Sequence, residues 1–157
     1  MQIVAFNADD RADGNGKAGI TWISKNLLNT QRKWHNSTSL PETGWPSTDL
    51  RNILRSTIMS LIPINIKNAI VEVKKVQKAN RTVNSSISNE TVWIPSAQEI
   101  ANDSNYETAG VYYSEIFNTT NKRIKKLKGI PTDYWTRSQV SIMGTVKISS
   151  SGSVSGS

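Results

Sequence analysis

Cysteine is absent from the 157 residues, which excludes disulfides, thiolate metal sites and cysteine nucleophiles. Histidine occurs once, as His35. Nothing ties it to a particular serine, so no Ser-His-Asp set can be argued, and a lone histidine in a polar stretch is expected to be solvated. No run of about 18 apolar residues occurs, so no membrane-spanning helix is expected. The opening "MQIVAFNADD" lacks a basic start and a long apolar run, so no secretory signal is read there. Asp9, Asp10, Asp13 and Asn15 look calcium-like, but the spacing fails. Counted from Asp9, the twelfth position is Ile20, where an EF-hand needs a bidentate Glu. No Glu-Pro-Asn or Gln-Pro-Asp motif occurs either. The loop reads as an Asp/Gly turn, and neither a metal nor a cofactor is expected. No glycosidase-type carboxylate pair stands out.

Acidic residues are also in deficit. Nineteen Lys and Arg face twelve Asp and Glu, a net charge of +7. Such a balance favours anionic partners, either nucleic acid or a wall polymer such as a teichoic acid. The chain lacks the motifs of the known nucleic-acid modules, so no specific nucleic-acid partner is expected. One denser run, "NKRIKKLK" at residues 121–128, reads as a solvated face.

The length suits one domain, taken as residues 1–150, and five tryptophans supply large side chains for its core. The final "SSSGSVSGS", residues 149–157, is small and polar, and residues 151–157 are expected to be a flexible end. "QIVAFNA" and "ITWISKNLL" read as a strand hairpin around a turn-rich loop. Residues 29–44 are polar and irregular. Ser47 is expected to cap a helix, with Asp49 in its first turn. Leu50, Ile53, Leu54, Ile58 and Leu61 form its apolar stripe, and Pro63 ends it. A helical turn at "INIKNAI" follows, then a strand "AIVEVKKV" with a polar outer face. "QKANRTVNSSISNE" reads as a polar loop and "TVWIP" as a short strand. Ser96 and Glu99 make a capping box. A helical piece lies near residues 113–117, and "DYWTRSQV" and "GTVKISSS" are late strands. Strands dominate both ends with helices between, so the fold class is α+β.

"GWPSTDLRNIL", "IKNAIVEVKKV", "VWIPSAQEI" and "YWTRS" together resemble a domain family widespread in prophages and surface proteins of Gram-positive bacteria. "AFNADDRADGNGKAGITWIS" is similar to its phage-associated branch. The family is related in fold to C-type lectins and formylglycine-generating enzymes. The resemblance therefore implies a C-type lectin-like fold of mainly antiparallel sheets with two or more short helices. A closing "G-[VF]-x-P-x-F"-like strand, normal in the family, is not seen. A truncated chain, a piece of a longer one, or a strand supplied by a partner would each account for that.

Trp45, Arg51, Trp93, Trp135 and Arg137 are read as fold-defining, as is Trp22 as a core residue. Arg51 is expected to pair with a carboxylate or with backbone carbonyls, and Arg137 to bond loop carbonyls. The resemblance implies that the late strands carry the ligand-facing surface. The expected binding residues are Tyr134, Gln139, Ser141, Met143 and Lys147. The expected function is a non-enzymatic module of a phage or prophage particle, on a tail, fibre or other exposed part. It would be virion-located, assembled in the host bacterial cytoplasm, homo-oligomeric and in contact with other virion proteins. Its partner would be a host cell-surface polysaccharide or protein, with a glycan preferred and no membrane insertion. The alternative is a structural virion connector or decoration protein. Formylglycine-type catalysis needs cysteines that this chain lacks.

Overall fold

The computed structural model describes residues 1–78, 85–106 and 110–156. The fold is α+β: small antiparallel sheets and short helices. Among the described residues, no helix is long and apolar enough to cross a membrane.

β1 (Gln2–Phe6) and β2 (Ile20–Ile23) pair antiparallel, as their β-forming residues predict. Alternation then decides the faces. Val4 and Thr21 turn inward and are buried. Trp22 turns outward beside Ile20 and is 51% exposed. The expectation that Trp22 is a core residue is thereby corrected.

The segment after Pro46 is helical but not one regular helix. Residues Trp45–Ser47 form a 3-10 turn, followed by α1 (Asp49–Ile53) and a π-helical segment, Leu54–Ile58. Thr48, not Ser47, is the cap: its side chain accepts from the Arg51 amide. The 3-10 turn occupies Ser47, whose hydroxyl instead accepts from Thr43. Leu50 and Leu54 are buried as the stripe predicts. Leu61 is 73% exposed, against expectation. A π segment adds a residue to the turn, which rotates everything beyond it by about 100°. α2 (Ile64–Lys67) follows Pro63.

β3 (Val73–Lys78) pairs antiparallel with β4 (Ser85–Glu90). Residues 79–84 of the expected polar loop lie outside the described residues, but 85–90 form a strand. The reason the sequence hid it is chemical. Apart from Val73, the inward positions of this hairpin are polar: Lys75, Gln77, Ser88 and Glu90 are all buried. Hydrophobic alternation therefore points the wrong way. "TVWIP" forms no strand.

α3 (Ala97–Ala101) begins at the expected capping box, with both reciprocal bonds present. α4 (Ser114–Phe117) and α5 (Thr120–Arg123) are single turns. A two-residue ladder, β5 (Lys126–Leu127) with β6 (Ile130–Pro131), occupies the basic run. The last sheet is β7 (Tyr134–Ser141), β8 (Gly144–Ile148) and β9 (Val154–Gly156), in that order. The expected flexible end is corrected over Val154–Gly156, which pairs with Val146, Lys147 and Ile148. Gly152 makes that return possible. Its φ is +85°, and a Cβ there would lie 2.1 Å from the Thr120 carbonyl oxygen, a distance no side chain tolerates.

Two apolar clusters form the core. Val4, Ala8, Ile100, Tyr113, Phe117 and Ile148 make the first. Trp34, Trp45, Leu50 and Leu54 make the second, with Trp93 and Trp135 packed against it. Trp45 is fully buried, and its indole N–H donates to Glu90 Oε1 at 3.1 Å. Arg51 reaches the same oxygen at 2.7 Å and also bonds the carbonyls of Pro46 and Asn89. The Trp before the helix therefore fastens α1 to the β3–β4 hairpin.

Candidate functional site

Between the two clusters lies a buried group of charges. Lys75 Nζ donates to Asp9 Oδ1, to Glu99 Oε1 at 2.9 Å and to Tyr113 Oη at 2.9 Å. These three bonds use all its protons. Arg137 grips Glu99 with both terminal nitrogens and also bonds the Ile94 carbonyl. Thr21 donates to Asp9 Oδ2 at 2.6 Å. The Lys75 ammonium sits 4.3 Å above the Trp93 ring. It therefore ties the second cluster, through Trp93, to the first, through Tyr113.

Burial alone would raise the Glu99 carboxyl. The charges of Arg137 and Lys75 outweigh it and hold the group at about 2. Burial, together with the Glu99 and Asp9 carboxylates, pushes the Tyr113 phenol far above its usual range. An opening of about 270 Å³ reaches this group, with Asp10, Lys17 and Lys74 among its lining residues. Lys17 holds Asp10 at 2.7 Å and lowers its carboxyl. The carboxylates here are committed to internal ion pairs, which makes the group a brace for the fold.

A second opening, of about 310 Å³, is chemically different. It lies between the irregular segment 33–40 and the β7–β8 hairpin. Backbone and side-chain bonds hold the two together. Trp34 Nε1 donates to the Thr136 carbonyl at 2.9 Å, and Trp135 Nε1 to the Arg32 carbonyl at 3.3 Å. The Leu40 amide donates to the Ile142 carbonyl at 2.7 Å. Asp49 anchors the other side: its Oδ2 accepts from the Asn36 amide and lies 2.8 Å from His35 Nδ1. Buried Trp34 and Thr145 and half-buried Trp135 and Leu40 line this cleft. Exposed Lys33, Ser37, Thr38 and Met143, with half-buried His35, complete it. No carboxylate is among them. The combination offers an aromatic surface, a thioether, three hydroxyls and cationic or imidazole nitrogen, groups that can hold a ligand.

The five expected binding residues do not form one open face. Met143 is 77% exposed and lines the cleft. Gln139 is fully buried, and its amide nitrogen donates to the Ser141 carbonyl. Tyr134 packs on the first core cluster and donates to the Arg123 carbonyl at 2.7 Å, and burial raises its phenol. Ser141 is half-buried and accepts from the Met143 amide. Lys147 pairs with Asp133 at 2.9 Å, which lowers that carboxyl. The β7–β8 register shifts between Trp135 and Gln139 and again before Ser141, so simple alternation cannot carry a surface along the strand.

Trp45 is fully buried, while Trp93 is half-buried against the second cluster and lies in no strand. Arg51 meets Glu90 and two carbonyls, and the carboxylate of Glu99 is a partner of Arg137 besides the Ile94 carbonyl. Trp135 has a double position in the second cluster and in the cleft. The expectation of a solvated His35 is corrected by its contact with Asp49. Segment 33–40 escaped sequence reasoning because it has neither periodicity nor a motif. The one usable signal was a Trp-His pair inside a polar stretch. Among the described residues, no group of three or more metal-ligating side chains is assembled.

Residues 18–157 match the model of a family described as a domain of unknown function (DUF6273). No curated protein and no solved structure matches the chain.

Proposed function

The chain belongs to the DUF6273 family, and from that premise we propose that it is a non-enzymatic, lectin-like recognition module that takes a cell-surface glycan in the cleft beside Trp135. The observation that carries this reading is the cleft's lining. Trp135 and Met143 offer a surface for the apolar face of a sugar ring. Ser37, Thr38 and Thr145 offer hydroxyls, while Lys33 and His35 favour an acidic substituent. The lack of a carboxylate there speaks against glycoside hydrolysis, which uses two. The setting we propose is an exposed part of a phage or prophage particle contacting a Gram-positive host. It rests on the resemblance of "GWPSTDLRNIL", "VWIPSAQEI" and "YWTRS". Shallow single sites of this kind gain strength through several copies.

A second reading, a structural virion connector, is favoured by one observation. Leu61, Ile64 and Ile66 are exposed close together in sequence around α2, as a contact with a neighbouring subunit would require.

The test is binding of the labelled chain to intact Gram-positive cells, before and after removal of wall polysaccharide, at low and physiological salt. Saturable binding that survives salt and disappears with the polysaccharide is expected. Trp135→Ala is expected to weaken it about tenfold or more. Met143→Glu, at an exposed position outside the core, is expected to weaken it without changing stability. Binding unaffected by either variant, or absent at physiological salt, would transfer the case to the connector reading.

A further inference from the structure

The basic run at residues 121–128 is not a plain solvated face. Lys125 is buried, and its ammonium turns inward to the carbonyls of Ser24 and Lys25. The Leu27 amide donates to the Lys126 carbonyl at 3.0 Å. The loop that leaves β2 is therefore stitched to the β5–β6 ladder. The ladder turns through Lys128 and Gly129, with φ of 51° and 87°. Positive φ at both central residues is what a tight two-residue hairpin requires, and it sets Lys128 at the tip.

This corner gathers two kinds of surface. Lys25, Lys126 and Lys128 are exposed. Among the described residues none of the three has an ion-pair partner. Beside them, Leu28 and Ile130 are 51% and 68% exposed, and exposed Trp22 lies on β2 just before the stitched loop. Cations without carboxylates call for an anionic partner. Aliphatic side chains narrow the choice. Leu28 and Ile130 neither stack on nucleobases nor bond to a hydrated polymer, and together with Trp22, whose indole settles at the headgroup level, they suit the boundary between lipid headgroups and acyl chains. Lysine ammoniums on flexible stems, rather than planar guanidiniums, match phosphate heads that arrive in no fixed orientation. Arg123, the arginine of the run, instead points its Nε to the Phe117 carbonyl.

We propose that the stitched corner formed by residues 22–28 and the β5–β6 ladder is a peripheral docking surface for an anionic lipid bilayer. Lys25, Lys126 and Lys128 meet the phosphate heads, while Leu28, Ile130 and Trp22 enter the interface. This surface is separate from the Trp135 cleft and does not depend on it.

Flotation of the full chain with vesicles tests the assignment. The vesicles are pure phosphatidylcholine, or phosphatidylcholine with a quarter phosphatidylglycerol. Binding to the anionic vesicles alone is expected, with a blue shift of emission that Trp22→Phe removes. Each lysine replaced in Lys126→Ala and Lys128→Ala is expected to weaken binding about fivefold. The pair Leu28→Ser with Ile130→Ser is expected to abolish the blue shift while circular dichroism stays unchanged. Equal binding to both vesicle types, or no binding, would overturn the proposal. So would binding of inorganic polyphosphate or a single-stranded oligonucleotide that matches vesicle binding and survives the Leu28/Ile130 variant, because the surface would then read charge alone. Trp135→Ala is expected to leave vesicle binding intact.

Discussion

At the scale of single residues, Glu99 holds several parts of the structure at once. It closes the capping box of α3, takes both terminal nitrogens of Arg137 and one proton of Lys75. Glu99→Gln keeps the shape and removes the charge, taking its carboxylate from Arg137 and leaving Lys75 with Asp9 alone. The expected loss is about 3–5 kcal/mol, read from urea unfolding at neutral pH. The pH dependence follows from the carboxyl, which is held at about 2 when its ordinary value is 4.5. Its folded value lies below its unfolded one, so the stabilisation is complete above about pH 4.5. It is lost as pH falls toward 2. The stability gap between the native chain and the variant should therefore close across that window. A gap of constant size would refute the ionic role. The capping box was legible because its partners lie three residues apart in sequence. The ion pairs were not: Lys75 lies 24 residues from Glu99 and 66 from Asp9, and only the fold brings them together.

Among the elements, α1 was readable from its apolar stripe, and the β1–β2 hairpin and the β7–β8 pair from their β-forming residues, although β7 buries the polar run Thr136, Arg137, Ser138 and Gln139. Where the inward face is polar, as on β4 with Ser88 and Glu90, the pattern that reveals a strand is absent. Where a π turn changes the helical phase, a correct stripe fails partway, between Leu54 and Leu61. The cap of α1 gives a sharp check. Thr48→Ala should cost about 1 kcal/mol, lowering the melting temperature by roughly 2–4 °C for a chain of this size. Ser47→Ala should leave it nearly unchanged, since Ser47 makes no cap bond. Equal effects from the two would mean that the 3-10 turn, and not Thr48, starts the helix. The cleft fell between elements, on a segment whose shape comes from bonds to Thr136, Ile142 and Asp49 rather than from its own residues.

For the molecule as a whole, the part that matches the family begins at residue 18, yet the folded unit begins earlier. β1 is the pairing partner of β2, and Asp9 is an acceptor for both Lys75 and Thr21. A fragment of residues 18–157 is therefore expected to unfold at lower urea than the full chain and to lose the near-ultraviolet dichroism of its packed aromatics. A fragment as stable as the whole would show β1 to be an accessory. At the other end, a Ser/Gly-rich sequence looked like a loose tail because composition records propensity and not the ladder that receives it. β9 is short, but Val154 leans on the same apolar cluster as Val4 and Ala5 of β1. The first and last strands therefore rest on one apolar cluster, so loosening either of them opens the same apolar face to water.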